Sequence, residues 1–184
     1  MTSPLSLSDL DKKLSEKIYR QNYGKKGKIE GVEMIPLAKH LAEDGDFAEL
    51  IRLTDQGELE QVPGFKLAQV NRTKLNPGSL KAWHLHLAQD EIWYLIPSGL
   101  LFVGLWDLRK NSSMNGLTMR AVLGRGKSAL WLIPRGVAHG SANFTTQAVD
   151  LLYFVENKFN KDNPDEYRLP WDSIGAHFWT PEKD

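Results

Sequence analysis

The chain has 184 residues and carries 23 basic and 23 acidic side chains, so it has no net charge when histidine is neutral. This length suits one domain with a proper core, and the absence of a basic excess argues against a nucleic-acid partner. The sequence has no cysteine, which excludes a disulfide framework, a thiolate nucleophile and a cysteine-ligated zinc site. Since no apolar stretch is long enough to span a bilayer and no secretory signal is recognisable, we predict a cytoplasmic protein without membrane contact.

The N-terminal residues predict a short amphipathic helix. Ser8 and Asp11 have the spacing of a capping box. Leu10, Leu14 and Ile18 then recur at helical intervals. We expect this helix to cover the following domain or a partner subunit.

From residue 32 onward, short β-prone runs alternate with turn residues. The runs are rich in β-branched and aromatic side chains, and glycine, proline, asparagine or aspartate separates them. They cover residues 32–37, 47–53, 66–73, 81–87, 91–96, 100–108, 117–123, 129–134 and 148–156. This punctuation predicts an all-β sandwich or barrel. We therefore divide the chain into an N-terminal helix and linker, residues 1–30, and one β-barrel domain with a C-terminal extension, residues 31–184.

The C-terminal tail, residues 160–184, is rich in turn-forming residues and carries three aromatic anchors, Trp171, Phe178 and Trp179. We expect it to pack across the barrel surface. The apolar surface of the tail and of the N-terminal helix, together with exposed sheet edges, predicts a two-fold homodimer.

Three histidines and one glutamate have the spacing of a metal site. His84 and His86 lie two residues apart on a predicted strand, so their side chains point to the same face. Glu91 opens the next run after a link short enough to fold it back beside them, and His139 follows a predicted turn. Imidazole and carboxylate ligands suit zinc, manganese, iron, nickel or copper, and four of them leave positions free for substrate or water.

These residues resemble the two cupin sequence motifs. A glycine, an HxH pair, a glutamate and a later glycine are matched by Gly78, His84, His86, Glu91 and Gly99. The second motif, PxGxxHxxxN, is matched by Pro134, Gly136, His139 and Asn143. The resemblance implies a cupin-type β-barrel, or jelly roll.

A series of short matches also resembles the dTDP-4-dehydrorhamnose 3,5-epimerase family. In constant order they are QVNRT at 69–73, WHLH at 83–86, LWDLRKNS at 105–112, WLIPRGVAHGS at 131–141 and DLLYFVENKFN at 150–160. The resemblance implies that His84 is a catalytic base and Tyr153 a general acid, which exchange a proton on a carbon next to a ketone. We predict that the substrate, a sugar or other small polar molecule, is contacted by Gln69, Asn71, Lys81 and Trp93.

Several positions depart from the family pattern. Glu91 replaces a lysine that faces the substrate, His86 replaces a glutamine, and Lys81 replaces an arginine. Gly45 or Asp46 stands where a second arginine is expected. Because arginine forks bind phosphates bidentately, we predict a free sugar rather than a dTDP-sugar as substrate. The epimerases of this family work without a metal, whereas here the substitutions complete a ligand set for a divalent transition metal.

The two roles of His84 conflict. If His84 binds a metal, its lone pair is occupied and catalysis depends on the metal as Lewis acid, with Tyr153 as the proton-transfer partner. Our first hypothesis is a sugar epimerase or isomerase, assisted by a metal. Its alternatives are a metal-dependent oxygenase-type oxidoreductase and a non-catalytic module that binds a small ligand.

Overall fold

Two five-stranded antiparallel sheets face each other, which confirms the predicted all-β, jelly-roll architecture. The computed structural model describes residues 3–21, 24, 27–96 and 99–181. Its strands are β1 (Glu33–Pro36), β2 (His40–Ala42), β3 (Gly45–Phe47), β4 (Glu58–Leu59), β5 (Val62–Lys66), β6 (Gln69–Leu75), β7 (Leu80–Leu85), β8 (Glu91–Leu95), β9 (Leu100–Asp107), β10 (Thr118–Gly124), β11 (Ala129–Ile133), β12 (Val137–Ala142), β13 (Val149–Val155) and β14 (Tyr167–Arg168). The first sheet has the order β1-β11-β8-β13-β6 and the second β10-β9-β12-β7-β14, while β2-β3 and β4-β5 form small hairpins.

The alternation of side chains along each strand separates interior from exterior. On β8, Glu91 and Trp93 face the space between the sheets, whereas Ile92 and Tyr94 pack on the outer side. One end of the interior is filled by buried apolar side chains, and the other is lined by polar side chains. The apolar end is built from Leu75, Leu95, Leu101, Val103, Leu105, Leu123, Val149 and Leu151.

Segments of the same chain cover the outer faces of both sheets. Leu59 and Phe65, from the β4-β5 hairpin, pack on the first sheet. The tail ends in a 3-10 helix, Ala176–Trp179, whose Phe178 and Trp179 pack on the second sheet against Trp83. The predicted docking of the tail on the barrel is therefore confirmed for two of its three aromatic anchors. The third, Trp171, is 45% exposed and lines the polar cavity instead.

Glycine allows the tail to approach the second sheet closely. A Cβ atom on Gly104 would lie 2.5 Å from the Phe178 ring, and one on Gly140 would lie 2.9 Å from the Trp179 ring. A larger residue at Gly104 would push the tail outward, and one at Gly140 would also clash with Ala82 on β7, whose Cβ atom would lie 2.4 Å away. Because the tail also lines the cavity, these two glycines help to set the shape of the site.

His139 lies on a strand, β12, that was not among the predicted runs. Its sequence, VAHGSA, is rich in small residues rather than β-branched ones, and propensity therefore indicated only a turn near this position. In the structure β12 lies between β9 and β7, and all of its residues are buried. The run 47–53 was in turn wrongly predicted as a strand. Only Phe47 belongs to β3 there, and Leu53 makes an isolated bridge.

The predicted N-terminal helix is much shorter than its periodicity indicated. A 3-10 turn spans Leu7–Asp9, and the α-helix, α1, spans only Lys12–Ser15. Asp11, rather than Ser8, caps α1, because its carboxylate accepts a hydrogen bond from the Leu14 N–H at 3.2 Å. Short isolated helices are marginal in water unless another element packs on them, and no residue of α1 is buried. No helix in the described ranges is long and apolar enough to cross a membrane.

The homodimer stays a prediction, but its basis changes. Much of both outer sheet faces is covered by the same chain, although Val70 and Val122 are 51 and 57% exposed. In the N-terminal segment, Leu10, Leu14 and Ile18 are 39, 60 and 47% exposed. We therefore expect the N-terminal segment to contribute most of a dimer contact. Light scattering at micromolar concentration should give twice the 20.8 kDa chain mass, and a variant without residues 1–20 should give a lower mass. A full chain that scatters as one copy contradicts this prediction.

Candidate active site

The polar end of the interior is an open cavity of about 1,520 Å³. Its lining combines inward-facing positions of both sheets with one stretch of the C-terminal tail. All nine predicted site residues line it, namely Gln69, Asn71, Lys81, His84, His86, Glu91, Trp93, His139 and Tyr153. The sequence motifs therefore converge on one site, although their individual roles are not equivalent.

Three of the four predicted metal ligands lie together. The side-chain donor atoms of His86, Glu91 and His139 all lie within 4.8 Å of one another, and all three residues are buried. His86 Nε2 lies 3.0 Å from Glu91 Oε1, and His139 Nε2 lies 3.4 Å from Glu91 Oε2. Glu91 does not fold back beside the histidines as a paired strand. It projects from β8 in the first sheet and meets them across the interior.

Backbone carbonyls and a tryptophan orient this triad. His86 Nδ1 is hydrogen-bonded to the carbonyl of Asp165, and His139 Nδ1 donates to the carbonyl of Val137 at 3.1 Å. Both rings therefore direct Nε2 toward Glu91. Trp93 Nε1 donates to Glu91 Oε2 at 2.8 Å, and Trp93 is only 6% exposed. Its contact is mainly with the triad, and little of its ring is available to stack on a sugar.

The donor set fits a divalent transition metal. With Nδ1 of His139 protonated, its Nε2 carries a lone pair that faces a carboxylate oxygen, so two acceptors meet without a hydrogen between them. A cation relieves this repulsion. Two imidazoles and one carboxylate, each held by an outer partner, are typical of non-haem iron and related sites.

Without a metal, a proton on His86 stabilises the triad, and burial affects the pKa of each of its members. Burial acts to lower the pKa of His86, but the hydrogen bond and the charge of Glu91 outweigh it and raise this pKa to about 9. Burial acts to raise the pKa of Glu91, but the facing histidines and Trp93 lower it to about 2. Burial lowers the pKa of His139 to about 4. The metal-free triad is thus a His86 imidazolium, a Glu91 carboxylate and a neutral His139.

The metal-free protein should lose stability in alkali because of His86. The pKa of His86 is about 9 in the folded state against 6.5 unfolded, so its contribution is complete below pH 6.5 and disappears as the pH rises to 9. Urea midpoints measured with a chelator at these two pH values should fall for the wild type. A His86→Gln variant has no such group and should show a much flatter profile. Parallel profiles for the two proteins would contradict the assignment.

His84 lies outside the triad and has its own carboxylate partner. Its Nδ1 lies 2.8 Å from Glu166 Oε1. This hydrogen bond lowers the pKa of Glu166, and Arg168 binds the same oxygen at 2.8 Å. Since the carboxylate accepts the Nδ1 hydrogen, the lone pair of His84 resides on Nε2. Its ring lies 6.1 Å from that of His139, beside the triad but not among its members.

Tyr153 approaches from the opposite sheet. It lies on β13, in register with Trp93 on β8 and Asn71 on β6. Burial raises the pKa of Tyr153, and the charges of Glu91 and Glu166 raise it further. Its hydroxyl therefore keeps its proton at neutral pH.

The polar residues predicted to bind substrate are partly occupied by each other. Gln69 Nε2 donates to Asn71 Oδ1 at 2.7 Å, and Gln69 Oε1 accepts the Phe159 N–H at 2.9 Å. Lys81 Nζ donates to Thr73 Oγ1 at 2.8 Å. Gln69 thus binds the C-terminal tail through Phe159, while Asn71 and Lys81 place polar atoms at the cavity wall.

Sequence reasoning missed Glu166 and Asp165. Both belong to the turn-rich tail, where acidic residues are expected to face solvent. No periodicity or motif marked them, because their partners lie far away in the chain, and Asp165 follows His86 by 79 positions in the sequence.

Comparison with known proteins decides the family. The family model described as dTDP-4-dehydrorhamnose 3,5-epimerase matches residues 26–182. The chain belongs to this family. It is 39% identical over 155 residues to the spore coat polysaccharide biosynthesis protein SpsL of Bacillus subtilis, covering 84% of this chain and 98% of that protein. The predicted resemblance and the enzyme class, a sugar epimerase, are confirmed.

Other epimerases agree at lower identity. The chain is 28% identical over 144 residues to the probable low-salt glycan biosynthesis epimerase Agl13 of Haloferax volcanii, covering 78% of this chain and 89% of that protein. A crystal structure of a dTDP sugar isomerase from Desulfovibrio desulfuricans superposes with a TM-score of 0.68 at 24% identity. This match covers 79% of this chain and 88% of the other, and it supports the cupin-type fold of the epimerase family.

Proposed function

We propose that this epimerase removes and returns a proton on a carbon next to a ketone of a sugar, with His84 as base. The observation that carries the proposal is the 2.8 Å contact between His84 Nδ1 and Glu166. The carboxylate holds the ring in one tautomer, leaves the Nε2 lone pair for the substrate proton, and stabilises the imidazolium that forms.

Tyr153 acts as the acid in this proposal. His84 projects from the second sheet and Tyr153 from the first, so a sugar between the sheets presents opposite faces to them. Removal of a proton on one face and delivery on the other inverts the carbon. The raised pKa of Tyr153 keeps its proton available until the enolate has formed.

We also propose that His86, Glu91 and His139 hold one divalent transition metal. A bound metal ion supplies a Lewis acid that stabilises negative charge on a ketone oxygen. In this proposal His84 is not a ligand, so its two possible roles do not conflict. It remains free to take the proton while Trp93 and two backbone carbonyls keep the triad in place.

The substrate class follows from the charges in the cavity. The Arg168 guanidinium is bound by Glu166, and Lys81 and Lys158 are the other lysine or arginine side chains that line the described cavity. The hairpin position of the missing family arginine carries Gly45 or Asp46, and Asp46 pairs with Lys39. Each lost charge-assisted hydrogen bond removes about 1.5–3 kcal/mol of binding. The cavity volume would admit a nucleotide sugar, but these charges favour a free sugar.

Deuterium exchange tests the reaction and its substrate together. We expect the enzyme in D₂O to exchange protons on the carbons that flank the ketone of free 4-keto-L-rhamnose. The matched probe is dTDP-4-keto-L-rhamnose, the ligand in the structure of a Legionella pneumophila relative. Faster exchange with the nucleotide probe, or micromolar binding of dTDP by calorimetry, overturns the substrate class. No exchange with either probe overturns the reaction.

A second candidate is oxygenase chemistry. Two histidines and one carboxylate are the ligand set that holds iron(II) for oxygen activation. The purified enzyme would then contain iron and consume oxygen with its substrate. Deuterium exchange without oxygen consumption favours the epimerase.

A further inference from the structure

We infer that Asp165 is a positioning residue that sets the geometry of the His84–Glu166 pair. The inference rests on the proposed function of that pair as base and partner. Asp165 directly precedes Glu166 and makes three hydrogen bonds to the segment that follows His84. Its role is therefore to place the neighbouring carboxylate within hydrogen-bond distance of His84 Nδ1.

The contacts of Asp165 converge on one turn. Its Oδ1 accepts the Leu87 N–H at 2.9 Å, and its Oδ2 accepts the Ala88 N–H at 2.8 Å. Its backbone carbonyl is hydrogen-bonded to Nδ1 of His86. One residue thus holds the turn after β7, orients a triad histidine and fixes the start of the Glu166 side chain.

Asp165 is the inner anchor of a segment that we call the pocket strap, residues 157–168. The strap forms one wall of the cavity. Near its N-terminal end, the strap is attached by a hydrogen bond from the Phe159 N–H to Gln69. At its C-terminal end it is attached by β14, in which Arg168 pairs with His84 on β7. Between these attachments residues 160–164 are exposed, whereas Asp165 and Glu166 are partly buried. The position of Glu166 therefore depends on Asp165 on one side and on β14 on the other.

Small displacements matter at such a contact. A misplacement of about 1 Å can lower a rate by about 100-fold, because proton transfer needs aligned donor and acceptor. Without the Asp165 carboxylate, two backbone N–H groups lose a charged acceptor and the strap loses its inner anchor. Glu166 would then no longer hold His84 in one tautomer.

The first test observes His84 directly and needs no substrate. Imidazole ¹⁵N shifts report which ring nitrogen carries the hydrogen. We expect the Nδ1–H form in the wild type and a mixture of tautomers in Asp165→Ala. Asp165→Asn, which keeps one acceptor oxygen, should be intermediate and serves if the alanine variant does not fold. The control is Asp162→Asn, which removes a charge from the exposed part of the strap. Unchanged His84 shifts in both Asp165 variants overturn the inference.

The second test uses a double-mutant cycle on deuterium exchange. We expect Asp165→Ala to lower kcat about 10- to 100-fold and to change KM by less than about threefold. In a Glu166→Gln background, the same change should add less than about threefold, because both residues act through His84. Equal losses in both backgrounds overturn the inference. An inactive wild type that still shows the tautomer shift contradicts the proposed reaction and leaves the positioning role supported.

Discussion

His84→Asn should lower the rate of deuterium exchange about 100- to 10,000-fold, equivalent to about 3–5 kcal/mol of transition-state free energy. Asparagine has a similar size and polarity but cannot accept the substrate proton. The loss should fall on kcat rather than on KM, since the cavity wall is otherwise unchanged. Exchange is measured by NMR in D₂O with the keto-sugar that the wild type accepts.

Two further variants serve as comparisons for His84→Asn, one with a smaller expected loss and one with none. Glu166→Gln should cost about 10- to 100-fold, because the base remains while its orientation and the charge that stabilises its imidazolium are lost. His177→Ala changes an exposed histidine of the tail and should leave the rate unchanged. A His84→Asn variant that keeps more than about a tenth of the activity would assign the base elsewhere.

The second large effect concerns the metal. We expect about one transition metal per chain in the purified protein and its loss from the double variant His86→Ala, His139→Ala, because one carboxylate alone supplies too few donors for tight binding. His84→Ala should retain the metal, since His84 is bound to Glu166 rather than to the triad. Elemental analysis after gel filtration measures all three proteins.

Each possible outcome of the metal analysis supports a different set of metal ligands. Metal retained by the double variant would place the site outside His86, Glu91 and His139. Metal lost from His84→Ala would restore the four-ligand set that the sequence motif predicted. Metal lost from the double variant alone supports a three-ligand site beside a free histidine base.

Local pattern was sufficient to predict much of the site. The HxH spacing correctly placed His84 and His86 on one face of β7 and the residue that follows it, and the alternation on β8 correctly turned Glu91 inward. Strand β12 escaped prediction because its small residues have low β-propensity, and burial between two neighbours stabilises it instead. The N-terminal helix was overestimated because periodicity does not reveal whether anything packs on an apolar face.

The sequence by itself determined the all-β cupin fold, the family and nine of the side chains that line the cavity. These follow from side-chain periodicity and from motifs whose members lie close in the chain. Only the tertiary structure separated His84, which is paired with Glu166, from the group formed by His86, Glu91 and His139. It also brought Asp165 and Glu166 from the distant tail to His86 and His84. The physical reason is that sequence spacing determines which face of a strand a residue occupies, whereas the packing of two sheets and a tail determines which atoms come within hydrogen-bond distance.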